Sequence, residues 1–280
     1  MTIKMVDKIN FGTVAPSFII LGAQKAGTSS LYNYLAQHPQ ILAPKTKELH
    51  YFDTLNETPS KPYLNYFPKK YGTHKISFEA TPRYLYYPGT AKKIYDFNPT
   101  MKFIILLRDP VKRAFSAWNM YKQMQKDEKR QLQFIKFEKT QEKEKLYSYL
   151  YKNQFPTFEE WINTELSDTF DNTIIEPSII RRGYYMDQIK EYLKYFSVES
   201  FLFLDFDCFK LNIKGSLESV TRFLDLSSFK DVSINLEPKN VRTYDKKLSD
   251  NIYEKLKVHY QHKNKGLEKL VNLKLSWMTS

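Results

Sequence analysis

The stretch that most constrains the fold runs from Phe18 to Leu35 and reads FIILGAQKAGTSSLYNYL. FIILGA is a short continuous apolar run bounded by Pro16 and Gly22, the pattern of a strand buried on both faces in a parallel sheet. Gly22 and Gly27 then interrupt the pattern, and Leu31, Tyr34 and Leu35 recur at helical spacing before Pro39 stops them. Strand, loop and helix in that order commit the chain to an α/β architecture. The alternation returns in KISFEATP (75–82), a strand ending at Glu79, in helical AKKIYDF, and in MKFIILLRDP (101–110). A helix follows through FSAWNMYKQMQ, with Pro110 tolerated in its first turn. RRGYYMDQIKEYLKYF (181–196) places Tyr185, Ile189, Leu193 and Phe196 on one stripe, and SFLFLDFD (200–207) is a further buried strand. The expectation is a three-layer, doubly wound parallel sheet with a P-loop-like anion loop.

Nothing in the 280 residues reads as a flexible linker, so residues 1–280 are taken as one domain, with 1–15 as an N-terminal extension. Residues 126–180 are charged and helix-permissive for most of their length, a helical excursion expected near a substrate cleft. The content of 42% hydrophobic residues, with 20 Phe and 21 Tyr, supplies a core too large for a disordered chain. A formal net charge of +12 favours anionic partners without choosing among nucleotide, nucleic acid, acidic polysaccharide and membrane surface. A single cysteine, Cys208, excludes an intrachain disulfide and a cysteine-based zinc site and suits a reducing compartment. The amino terminus has no apolar leader core and the chain no membrane-length apolar span, so a soluble cytoplasmic protein is the simplest expectation.

The loop between Gly22 and Ser30 would turn backbone N–H groups and the positive end of a helix dipole toward an anion. Lys25 adds a mobile charge, and Thr28, Ser29 and Ser30 add hydroxyl donors. In the nucleotide triphosphatase signature G-x-x-x-x-G-K-[ST] the lysine follows the second glycine. Here Thr28 stands there, and the lysine lies inside the loop. A second anion site is suggested by FIILLRDPVKRAFSAW, which puts Arg108 at the end of another central strand and Ser116 about two turns into the next helix. Two anion sites on one sheet edge fit a nucleotide phosphorylated at two places.

GAQKAGTSSLYNYLAQHP, KELHYFD, EATPRYL, LLRDPVKRAFSAW and RGYYMDQIKEYLKYF resemble, in order and spacing, the sulfotransferases that use 3'-phosphoadenosine 5'-phosphosulfate. The nearest branch is the carbohydrate one, with the heparan sulfate glucosamine sulfotransferases and bacterial relatives, and the likeness covers residues 16–277. It implies that Lys25, Ala26, Gly27, Thr28, Ser29 and Ser30 hold the 5'-phosphosulfate and that Arg108 and Ser116 hold the 3'-phosphate. It aligns KNVRTYDKKLS (239–249) with a loop closing over the nucleotide, bringing in Lys239 and Arg242. A sulfuryl group carries less charge than a γ-phosphoryl group, so no metal is required, and Lys25 is the candidate to stabilise the leaving adenosine 3',5'-bisphosphate.

On the acceptor side the resemblance makes Glu48 the general base on a hydroxyl or amine, with His50 as the alternative base or a substrate contact. Glu79, Arg83 and Tyr84 are the remaining candidate acceptor contacts. Heparan-type members often carry a lysine where this chain has Ala80, which leaves the acceptor open within an expected class of polysaccharides and glycosides. The cysteine pair of secreted vertebrate members is absent as well. Two other classes compete. A magnesium-dependent kinase or triphosphatase would use Asp205, at the end of FLFLD, as metal ligand. A basic nucleic-acid-binding protein would use the charge and the aromatics, but no recognition motif supports it, and no nucleic acid is expected as partner.

Overall fold

The computed structural model describes residues 15–53, 62–69, 72–127, 154–168, 178–230, 232–239 and 247–278. Arg242, nearly all of the extension 1–15 and most of the excursion 126–180 lie outside these residues. Five strands, β1 (Pro16–Gly22), β2 (Ile41–Leu42), β3 (Ile76–Ala80), β4 (Lys102–Leu107) and β5 (Phe201–Asp205), form one parallel sheet in the order β2-β3-β1-β4-β5. The apolar runs are central for the reason their composition suggests: Ile19, Ile20 and Leu21 of β1 and Phe103 to Leu107 of β4 are wholly buried. The edge strand β5 instead alternates buried and half-buried residues. Stacked aromatic pairs cross between strands, Phe18 on Phe78 at 5.0 Å and Phe103 on Phe201 at 4.9 Å. Each such pair adds about 0.5–1.5 kcal/mol beyond burial.

The described helices are α1 (Thr28–Leu35), α2 (Thr90–Phe97), α3 (Pro110–Gln125), α4 (Phe158–Glu165), α5 (Tyr185–Leu193), α6 (Phe206–Leu211), α7 (Ile213–Phe223), α8 (Asp250–Lys263) and α9 (Leu267–Val271). The connection leaving β1 runs toward β2, while that leaving β4 runs the opposite way toward β5, so right-handed crossovers send their helices to opposite faces. The carboxyl ends of β1 and β4 therefore flank a topological switch point. Helix α3 begins at Pro110 because Asp109 caps it, its carboxylate accepting from the amides of Val111 and Lys112. A second apolar cluster joins α3, α4 and α8 through Trp118, Tyr121, Phe158, Trp161, Leu256 and Tyr260.

The expected stripe on α5 is present, with Tyr185, Ile189 and Phe196 buried and Leu193 half-buried, and Tyr192 joins it. Strand β2 was not anticipated, since two residues, Ile41 and Leu42, are too short to show a period. Among the described residues no helix is long and apolar enough to cross a membrane.

Candidate active site

The loop between β1 and α1 is built on left-handed backbone at Lys25 (φ 68°) and Gly27 (φ 83°). Gly27 is the N-cap residue, and no side chain caps α1 there. The first amides of α1 thus carry no cap from a Gly27 side chain, and the helix dipole adds positive potential at this end. Ala26, Thr28 and Ser30 are buried, whereas Lys25, Gly27 and Ser29 are partly open. A β-carbon on Gly27 would lie 2.8 Å from the Phe206 ring, so only glycine suits this corner. Ser30 Oγ accepts from the Lys239 amide at 2.9 Å, which brings the exposed Lys239 to the start of α1.

Arg108 follows β4 directly, and its guanidinium donates to the Lys25 carbonyl at 2.6 Å. Its charge stands 4.9 Å from the Phe206 ring centre, and its own carbonyl accepts from Tyr185 Oη at 2.8 Å. The two segments that the sequence suggested as anion sites therefore meet at the switch point. Ser116 lies on the second turn of α3 and is 2% exposed.

A third segment, residues 47–53, docks beside them where the Glu48 amide donates to the carbonyl of Ala80 at 3.2 Å. Ala80 ends β3, the neighbour of β1. Glu48 (φ 63°) and His50 (φ 53°) are both left-handed, at a cost of roughly 1–2 kcal/mol each. His50 Nδ1 is 2.8 Å from Asp53 Oδ2 and its Nε2 is 3.8 Å from Glu48 Oε2. Lys47 Nζ reaches Glu48 Oε1 at 2.5 Å. Burial acts against both charges, raising Glu48 and lowering His50, but the partners outweigh it. The His50 bond and the Lys47 charge hold the Glu48 carboxyl at about 2, and Asp53 with Glu48 lifts the His50 imidazole to about 9. At neutral pH the segment is an ordered row of alternating charges with the Glu48 side chain, 45% exposed, at its open end.

Arg83 is half-buried, 3.7 Å from Asp53 Oδ2 and 4.2 Å over the Tyr87 ring. Glu79 and Tyr84, expected from sequence as acceptor contacts, are 0% exposed and join a buried hydroxyl cluster under the segment. Asp205 spends both carboxylate oxygens inside the protein, accepting from the Cys208 amide at 2.9 Å and from the Ser276 amide and hydroxyl at 3.0 and 2.9 Å. Sequence reasoning missed Asp53, although its place three residues after His50 was a usable signal. It also missed Lys47, Phe206 and Tyr185, whose parts depend on contacts no local pattern encodes.

Residues 15–270 match the sulfotransferase domain family. Membrane-associated sulfotransferase kil1 of Dictyostelium discoideum is 37% identical over 106 residues, covering 37% of this chain and 22% of that protein. The human heparan sulfate glucosamine 3-O-sulfotransferase 5 is 27% identical over 214 residues, covering 75% of this chain and 54% of its own length. The chain thus spans about half or less of the curated relatives it matches. The crystal structure of a sulfotransferase from Alicyclobacillus acidocaldarius superposes with a TM-score of 0.68 at 27% identity, covering 94% of this chain and 99% of that one.

Proposed function

The chain belongs to the sulfotransferase domain family, and from that membership and the site's geometry we propose that it moves the sulfuryl group of 3'-phosphoadenosine 5'-phosphosulfate to a carbohydrate hydroxyl or amine. The observation that carries this reading is the contact of Arg108 with the Lys25 carbonyl at 2.6 Å, which sets two anion-binding segments side by side for one doubly phosphorylated nucleotide. Residues 1–280 act in this reading as one transferase domain, and the lone Cys208 favours a reducing, cytoplasmic setting.

The donor supplies a sulfuryl group activated by its phosphate leaving group. In the proposal Lys25, Ala26, Gly27, Thr28, Ser29 and Ser30 hold the 5'-phosphosulfate through the amides at the start of α1 and the side-chain donors. Arg108 and Ser116 bind the 3'-phosphate, with Lys239 closing over it. As the bond from sulfur to the bridging oxygen breaks, Lys25 stabilises the charge left on the phosphate, a role that needs no metal. The acceptor oxygen or nitrogen bonds to sulfur and passes its proton to Glu48, while the His50–Asp53 pair fixes the carboxylate's direction. Arg83 and His50, at the edge of the segment, are the proposed acceptor contacts. The human relative's name speaks for a glucosamine-containing acceptor, and the +12 charge suits an anionic polysaccharide.

Isotopically labelled donor offered with a panel of polysaccharides and glycosides tests the reaction directly. Adenosine 3',5'-bisphosphate should stabilise the protein in EDTA, by about 2.7 kcal/mol at roughly 100 times its Kd, and ATP much less. Stabilisation by ATP only with magnesium, and no transfer to any acceptor, would refute the reading. Glu48→Gln should cut turnover on the order of 10²–10⁴ with donor affinity near normal. Wild-type turnover in that variant would move the base elsewhere, to His50 first.

A further inference from the structure

We infer that Tyr84 and Glu79 are positioning residues: a buried relay in which the Glu79 carboxylate orients the Tyr84 hydroxyl, which in turn holds the segment carrying Glu48 in its left-handed form. The inference rests on the reading of Glu48 as the base. Its geometry stands independently. The Tyr84 oxygen lies 2.7 Å from the Tyr51 amide and 3.3 Å from the Phe52 amide. An amide N–H only donates, so the phenol oxygen accepts there and its single proton must point elsewhere. It points to Glu79 Oε1 at 2.8 Å. Thr81 donates to the same carboxylate at 2.7 Å and Tyr63 donates to its other oxygen.

The direction of every bond in this chain is thereby set, from the 51–52 backbone through Tyr84 into Glu79. Bonds aligned in one sense polarise one another, and all of them lie in a low-dielectric interior, since Tyr63, Glu79, Thr81 and Tyr84 are 0% exposed. Burial pushes the Glu79 carboxyl up, while its three hydroxyl donors pull it back, so the donors are what favour its charge. The target of the relay is well chosen. Left-handed backbone at Glu48 and His50 persists only where surroundings hold it, and the bonded amides sit between His50 and Asp53. Tyr84 thus anchors the stretch that carries Asp53 against His50 and, through His50, aims Glu48. The other anchor is the Glu48 amide on Ala80, the residue after Glu79.

Tyr84→Phe removes one oxygen and keeps the ring, and Glu79→Gln keeps size while setting an N–H where a carboxylate oxygen accepted. Each should lower kcat on the order of 10², because misplacement by about 1 Å has that effect. Affinity for adenosine 3',5'-bisphosphate and the donor KM should stay within about twofold. In the unliganded protein the His50 ring, followed by NMR and assigned with His50→Gln, should titrate well below about 9, moving back toward 6.5. A folded Tyr84→Phe protein with wild-type kcat and an unshifted His50 titration overturns the relay. So does a parallel loss of donor affinity and turnover, which marks general damage. Wild-type turnover in Glu48→Gln would instead remove the base assignment, and the His50 titration in Tyr84→Phe, measured without substrate, would still decide whether the relay exists.

Discussion

His50 and Glu48 owe their charge states to each other and to their flanks, and this makes the proposed acceptor side of the site dependent on pH. His50 is held at about 9, above its ordinary 6.5, by Asp53 and Glu48 against the opposing effect of burial. A group whose folded value is raised contributes its stability fully below the unfolded value and loses it as pH rises through the folded one. Wild type should therefore exceed His50→Gln in stability by on the order of 2 kcal/mol near pH 6, narrowing steadily toward pH 9 and above. Thermal melts of both proteins across that range measure it, and a gap that stays constant with pH would show that His50 titrates alike in the folded and unfolded states. The residues of this row were only partly legible. Glu48 and His50 were visible in KELHYFD, whereas the charge each carries depends on Asp53 and Lys47 meeting them in a left-handed turn.

At the scale of elements, the β1–α1 unit was legible nearly whole, because a buried strand, two glycines and a helical stripe each leave a local pattern. What the pattern omitted is the neighbour that makes Gly27 necessary. Phe206, at the start of α6, fills the space a β-carbon would take and lies against the Arg108 guanidinium. Gly27→Ala combines left-handed strain with a displaced ring, so stability should fall by about 1–3 kcal/mol. Because the displaced ring carries Arg108 with it, bisphosphate affinity should fall at least about tenfold, equivalent to 1.4 kcal/mol. Calorimetry of unfolding and of binding reads both effects. Full affinity in a destabilised Gly27→Ala protein would separate Phe206 from the anion sites.

For the whole molecule, Asp205 shows how a sequence pattern acquires a different use in three dimensions. An apolar strand ending in aspartate suggested a metal ligand, yet its oxygens cap α6 and tie the Ser276 segment to the end of β5. Asp205→Ala should destabilise the fold on the order of 2–4 kcal/mol, from a lost cap and buried donors left unpaired. Per folded molecule, bisphosphate affinity should be unchanged with or without magnesium. Lost nucleotide binding at little cost in stability would restore the metal-ligand reading. The sequence alone determined the parallel α/β layering, the glycine loop between β1 and α1, the start of α3 after Asp109 and Pro110 and the place of Arg108 at a strand end. Each of these is written in residues near one another, as a run, a period or a breaker. Only the tertiary structure decided that β2 completes the sheet, that Glu79 and Tyr84 lie beneath the site, and that Asp205 is a clamp. The last two outcomes rest on hydrogen bonds between distant residues, Tyr51 with Tyr84 33 positions apart and Asp205 with Ser276 71 apart. No local periodicity records such pairs, because the partner is chosen by how the strands order themselves in space.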